Sequence, residues 1–155
     1  MTFKLSRRSL EKLDGVDELL CDVVRFAINV TPVDFGVIWG LRTQQEQSAL
    51  FKRGASQCDG ISRKSKHQLG RAVDLMGFVN GKGCWEVAIY DDIADAVKEA
   101  ASACGAKVRW GGAWHIDSIV EYHGTMQQAS NEYVDLRRSQ QKRAFFDGPH
   151  FEITR

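Results

Sequence analysis

A chain of 155 residues is long enough to bury a core without disulfide or metal staples. Its composition, 43% apolar and 26% charged, excludes a disordered or fibrous protein. A formal net charge of +1 gives no electrostatic reason to expect nucleic acid as a partner.

In chain order, the start Met1-Thr2-Phe3-Lys4-Leu5-Ser6-Arg7-Arg8 carries charge, but no apolar stretch of signal-peptide length follows. Leu19, Leu20, Val23, Val24, Ala27 and Ile28 recur at helical spacing, which predicts an amphipathic helix over 17–29 with Asp17 as N-cap. Pro32 ends that pattern, and Phe35-Gly36-Val37-Ile38-Trp39 reads as a short buried strand. Thr43-Gln44-Gln45-Glu46 is a capping box opening a helix that Gly54 can close. Residues 55–71 are rich in Ser, Gly, Lys and Arg and read as a long loop, a feature often tied to function inside a compact domain.

Ala72 to Met76 reads as a strand with Val73 and Leu75 on one face and Ala72, Asp74 and Met76 on the other. Asn80-Gly81 signals a hairpin returning near Trp85. Ile89, Ile93, Val97, Ala100 and Cys104 mark a further helix that Gly105 ends, and Val108 to Trp110 a further strand before the Gly111-Gly112 turn. Residues 115–143 are polar and lack clear periodicity apart from a helix at 126–140, and His150 to Thr154 reads as a closing strand. With no internal repeat, low-complexity tract or linker, the expectation is one α+β domain over 1–155, a small, mainly antiparallel sheet flanked by helices. The cysteines at 21, 58, 84 and 104 form no Cys-x-x-Cys pair, which argues against a zinc ribbon or a thioredoxin-like site. Cys21 and Cys104 fall in apolar helical patterns and read as buried free thiols. No segment approaches the ~20 apolar residues of a membrane span, so no stable membrane association is expected.

The chemistry is concentrated in two polar clusters, Ser65-Lys66-His67-Gln68-Leu69-Gly70-Arg71-Ala72-Val73-Asp74 and Asp147-Gly148-Pro149-His150-Phe151-Glu152. A catalytic zinc site needs three protein ligands, an open position and a nearby carboxylate to take a proton from water. His67, Asp74 and His150 can fill the first role and Asp147 the last. Gly70 permits a tight reversal between His67 on the loop and Asp74 on the strand, and small Ala72 leaves room beside Asp74. Residues three apart on a regular strand point to opposite faces. Gly148-Pro149 favours a bend instead, which lets Asp147 turn toward whatever His150 binds. Glu152, two residues beyond His150 on the same face, could orient that ligand or be a surface charge. Trp39, Trp85 and Trp110 read as core, Trp114 equally as core or cleft, and His115 and His123 as exposed.

The pattern Ser-x-His-x-x-Gly-x-Ala-x-Asp followed far downstream by Asp-x-x-His resembles the zinc peptidases of bacterial cell-wall peptides. These include D-alanyl-D-alanine carboxypeptidases and phage L-alanyl-D-glutamate endopeptidases. The phage endolysin branch fits best. Leu5 to Leu13, Thr31-Pro32-Val33-Asp34-Phe35, Gly40-Leu41-Arg42-Thr43 and Trp110-Gly111-Gly112-Ala113-Trp114 carry the likeness across nearly the whole chain.

The resemblance implies a zinc peptidase fold of the hedgehog/D-Ala-D-Ala peptidase type, Zn2+ held by His67, Asp74 and His150, and Asp147 as the catalytic carboxylate. It places Arg42 near the substrate or the developing oxyanion and Ser65 near a substrate carboxylate. The implied substrate is the peptidoglycan stem peptide, cut between L-alanine and D-glutamate. The implied setting is phage lysis by a monomer made in the host cytoplasm and released when a holin opens the membrane. A D-alanyl-D-alanine carboxypeptidase and a non-catalytic, zinc-containing wall-binding module are the rival readings, the second weakened by the presence of Asp147.

Overall fold

The computed structural model describes residues 2–154. Ser6 caps the short helix α1 (Arg7–Lys12) by accepting from the Ser9 amide, and Ser9 Oγ in turn accepts from the Val37 amide at 3.0 Å. A six-residue helix is too short to show an apolar period, so nothing in its spacing announces it. The second helix, α2 (Glu18–Val30), carries the expected Asp17 cap and buries Leu20, Val23, Val24, Ala27 and Ile28 along one stripe. Strand β1 (Asp34–Trp39) leads to α3 (Gln44–Lys52), which opens on the Thr43–Glu46 capping box. Then follow β2 (Ala72–Val79), β3 (Lys82–Cys84), α4 (Val87–Cys104), β4 (Lys107–Trp110), a 3-10 turn at Ile119–Glu121, α5 (Met126–Ser139) and β5 (His150–Thr154).

The strands form one antiparallel sheet in the order β1-β2-β5-β4, with β3 paired to the far end of β2. The expected α+β arrangement is therefore the one adopted. Along one edge of β2, β5 pairs with Ala72–Asp74 and β3 with Gly77–Val79; β1 takes the other edge. The register between β1 and β2 slips between Val37 and Trp39, so that Ile38 is an extra residue opposite β2. Such a bulge bends a strand and re-aims its side chains, here at the end of β1 that borders the cleft described below. One face of the sheet presents Val73, Leu75, Val108, Phe151 and Ile153 to the core with α2 and α4, all of them almost fully buried.

Three expectations need correction. Trp85 is not core: β3 ends at Cys84, and Trp85 stacks flat on Tyr90 at 6.0 Å with 56% of its surface exposed. Cys104 is only half-buried, as the last residue of α4. Trp39 is half-buried, held between the Lys12 and Arg42 cations. Cys21 is buried as expected, and all four cysteines are free thiols.

One defect stands out in α4. Asp91 is buried, and its Oδ1 has no hydrogen-bond partner among the described residues. Burial, aided by the nearby Asp92 and Asp95, raises its pKa from 3.8 to about 6. The folded chain therefore holds the proton more tightly than the unfolded one, so Asp91 weakens the fold above pH 6 and ceases to below about pH 4. Asp91→Asn is expected to raise unfolding free energy by about 1–3 kcal/mol at pH 7.5 and by little at pH 4. Urea melts at both pH values check this, and an equal effect at both would remove the titration as its cause.

Candidate metal centre and its cleft

His67 sits in the turn after the 55–65 loop. Its Nδ1 lies 3.0 Å from the Gly40 carbonyl oxygen, while the Arg42 amide donates to the His67 carbonyl at 3.0 Å. The Nδ1–H donates to the Gly40 carbonyl, which turns Nε2 toward Asp74. The chain then reverses at Gly70, whose φ of +68° and closeness to the Gly15 carbonyl oxygen (2.7 Å from where a Cβ would stand) suit glycine alone. Asp74 follows on β2, paired with His150 at the first residue of β5.

The Asp147–His150 bend is real: the His150 amide donates to the Asp147 carbonyl at 3.0 Å. Gly111 backs it at close range: its carbonyl accepts from the Asp147 amide and its amide donates to the His150 carbonyl, both at 2.9 Å, and it has no room for a Cβ, which would stand 2.2 Å from the Asp147 carbonyl oxygen.

Asp74 Oδ1 lies 3.2 Å from His67 Nε2 and 3.3 Å from His150 Nδ1. The donor atoms of His67, Asp74 and His150 all fall within 4.8 Å of one another. A tetrahedral ion with bonds of about 2.0–2.1 Å separates neighbouring ligand atoms by about 3.4 Å. Two neutral imidazoles and a carboxylate at this spacing therefore suit a divalent metal such as zinc. The other nitrogen of His150 is 2.9 Å from Glu152 Oε1. Glu152 is buried, which excludes its reading as a surface charge.

The electrostatics follow from the same contacts. Burial alone would raise Asp74, but hydrogen bonds from His150 and His67 outweigh it and hold the carboxyl well below its usual range. Burial alone would lower His150, yet its bonds to Asp74 and Glu152 lift it to about 9. Burial and repulsion from Asp74 push Asp147 above the ordinary aspartate range, with His150, His67 and Arg42 opposing.

These groups line one open cleft of roughly 1020 Å³, which also takes in Arg42, Ser65, Trp85, Trp114, Tyr133 and Phe145. Arg42 is buried; its Nη1 donates to Gln47 Oε1 at 2.8 Å, its Nη2 to Asp74 Oδ2 at 3.4 Å, and its guanidinium lies 4.5 Å from the Trp39 ring centre. Ser65 is buried, and its Oγ accepts from the Gln68 amide at 3.3 Å.

Trp114, readable as core or cleft, belongs to the cleft: it stacks on Phe145 and tilts against His150 at 5.3 Å. Arg63, Lys64, Lys66, Arg109 and Arg137 give the rim a cationic character that the net charge conceals. His115 and His123 lie outside the donor cluster, and both are exposed. Gln47, Tyr133 and Phe145 were not anticipated. The one signal for Gln47 was its position three residues before Leu50 on the face that α3 buries.

Fold and site together define a class: an α+β protein with a His–Asp–His donor cluster at the floor of an open cleft and a further carboxylate beside it. The profile of the family described as phage L-alanyl-D-glutamate peptidase matches residues 1–154, and the chain belongs to that family. It is 30% identical over 154 residues to the L-alanyl-D-glutamate peptidase of Escherichia phage T5, covering 99% of each chain. The crystal structure of the Serratia marcescens L-Ala D-Glu endopeptidase ChiX superposes with a TM-score of 0.70 at 32% identity, over 97% of this chain and 90% of that one.

His150 is raised to about 9 by its carboxylate partners, so a metal held through this imidazole would have to displace its proton. Metal affinity is accordingly expected to rise with pH through the neutral range, with protons released on binding. Calorimetry in buffers of different ionisation enthalpy reads that release. Glu152→Ala should weaken metal binding by about 10- to 100-fold by freeing the His150 ring. Competition with a chromophoric chelator measures it, and unchanged affinity would reduce Glu152 to a bystander.

Proposed function

We propose that this protein is a zinc-dependent peptidoglycan hydrolase of the endolysin type that cuts the stem peptide at the L-alanyl-D-glutamate bond. His67, Asp74 and His150 would hold the metal. The reading is carried by the near-equal spacing of two imidazole nitrogens about one Asp74 oxygen. Membership of the peptidase family adds the substrate class. A zinc ion held there would polarise the scissile carbonyl and acidify water.

Asp147 is the general base. It takes a proton from the attacking water as the oxygen–carbon bond forms, and passes it to the leaving amine nitrogen as the carbon–nitrogen bond breaks. An ordinary aspartate, with a pKa near ~3.9, is a weak base at neutral pH. Burial raises Asp147, and so does the Asp74 charge until a bound cation neutralises it; burial is the part that narrows that gap.

Arg42 supplies positive charge for the carbonyl oxygen as it becomes an oxyanion. Its burial means that charge is weakly screened by solvent. Ser65 and the rim cations Arg63, Lys64 and Lys66 suit the carboxylates of an acidic peptide. Among the described residues no helix is long and apolar enough to cross a membrane. That is compatible with a monomeric, single-domain enzyme made in the host cytoplasm and admitted to the wall by a holin.

Asp147→Ala is expected to keep its metal and lose about 10²- to 10⁴-fold in kcat, whereas His67→Ala loses the metal too. Metal content measured beside turnover separates these outcomes, and normal turnover in Asp147→Ala would sink the base assignment.

Mass spectrometry of defined muropeptides, with and without chelator, tests the bond. Chelator-sensitive release of a peptide beginning at D-glutamate supports the endopeptidase. Loss of a terminal D-alanine alone replaces it with a carboxypeptidase, and metal binding without cleavage would point to a wall-binding module.

A further inference from the structure

Gln47 is wholly buried on α3 and belongs to neither polar cluster. A buried amide is costly unless its polar atoms find partners, and here both ends do. Oε1 accepts from Arg42 Nη1 at 2.8 Å, while Nε2 donates to Ser56 Oγ at 2.7 Å and to the Cys58 carbonyl at 2.8 Å. The orientation is unambiguous, because a flipped amide would set donor against donor at Arg42.

One side chain thus holds the guanidinium with one end and the wall of the cleft around Ser56–Cys58 with the other. That wall is tied further by Ser48 Oγ donating to the Asp59 carbonyl at 2.8 Å. Gln68, in the turn that carries His67, donates to the Gly60 carbonyl at 2.9 Å. Arg42 has few other anchors. Its Nε is buried without a partner among the described residues, the Asp74 contact is 3.4 Å, and the rest is the face of Trp39.

We propose that Gln47 is a positioning residue that aims Arg42 at the reacting carbonyl and sets it in register with the 55–60 wall against which substrate lies. This rests on the role given to Arg42 above. A misplacement of about 1 Å at such a group costs about 100-fold in rate, so the length and polarity of the Gln47 amide matter although it touches no substrate.

The test uses the metal-loaded full chain and a defined muropeptide. Gln47→Met keeps the volume and removes both hydrogen-bonding ends. It is expected to lower kcat by about 10- to 100-fold, with metal content unchanged and KM within about threefold. Gln47→Glu keeps an acceptor for Arg42 and loses the donors to the wall; it should recover most of kcat while raising KM. In an Arg42→Ala background, Gln47→Met should have no further effect on kcat.

The same fold loss in both backgrounds means a merely structural role and overturns the proposal, as does wild-type kcat in Gln47→Met. Where Gln47→Met does not fold, Gln47→Asn, one methylene too short to reach Arg42, carries the same comparison. Full activity in Arg42→Ala, with chelator still abolishing turnover, rejects the Arg42 role itself. That result differs from an impaired Arg42→Ala beside an unimpaired Gln47→Met, which rejects Gln47 alone.

Discussion

Two imidazole nitrogens share one carboxylate oxygen, and the rest of the molecule is arranged so that they can. Asp74 Oδ1 sits between His67 Nε2 and His150 Nδ1, while Oδ2 faces Arg42. A carboxylate in so dry a place needs positive charge or hydrogen-bond donors close by. Without metal, the protonated His150 and the Arg42 guanidinium supply them. A divalent cation seated among His67, Asp74 and His150 would turn these ion partners into ligands. The cluster is therefore preorganised: the charge of the carboxylate keeps the donors together before any ion arrives. The Gly40 carbonyl and Glu152 add direction, each engaging the ring nitrogen that faces away from Asp74.

Each constraint is delivered by ordinary local structure. Regular pairing of β2 with β5 sets Asp74 opposite His150. The Gly70 reversal and the Asp147–His150 bend place loop residues against strand residues without distorting the ladder. The extra residue Ile38 alters the end of β1, where Trp39 packs against Arg42. The cleft is thus built on rigid strand ends and filled in by loops, which combines precision at the donors with freedom in the walls.

Much of this was legible because the elements that matter carry strong local signals. The α2 and α4 stripes, the Thr43–Glu46 capping box and the alternation of Val73 and Leu75 with Asp74 each have one physical interpretation. The donor residues could be picked out because two histidines and their carboxylates flank glycines and a proline that allow convergence. The walls were not legible, for equally physical reasons. Helix α5 was legible at 126–140, but nothing in its polar sequence marked Tyr133 as a residue that lines the cleft. Trp85 follows a turn signal and an aromatic residue there suggests a cross-strand partner, yet the strand stops one residue earlier. In the run Gln44-Gln45-Glu46-Gln47 only the spacing to Leu50 sets the buried glutamine apart from its exposed neighbours, because its partners lie in the loop that closes over it.

The position of β5 carries a further consequence. Asp74 and His150 are 76 residues apart, and β5 enters the sheet between β2 and β4 rather than at an edge. The donor set is complete only when that late, central strand has docked, so closing a long loop precedes any tight metal binding. Ion capture by this cluster would then report on finished folding, and a held ion would oppose local opening of the C-terminal strand by mass action. Partly folded chains, lacking His150 in place, would be both inactive and poor competitors for scarce metal.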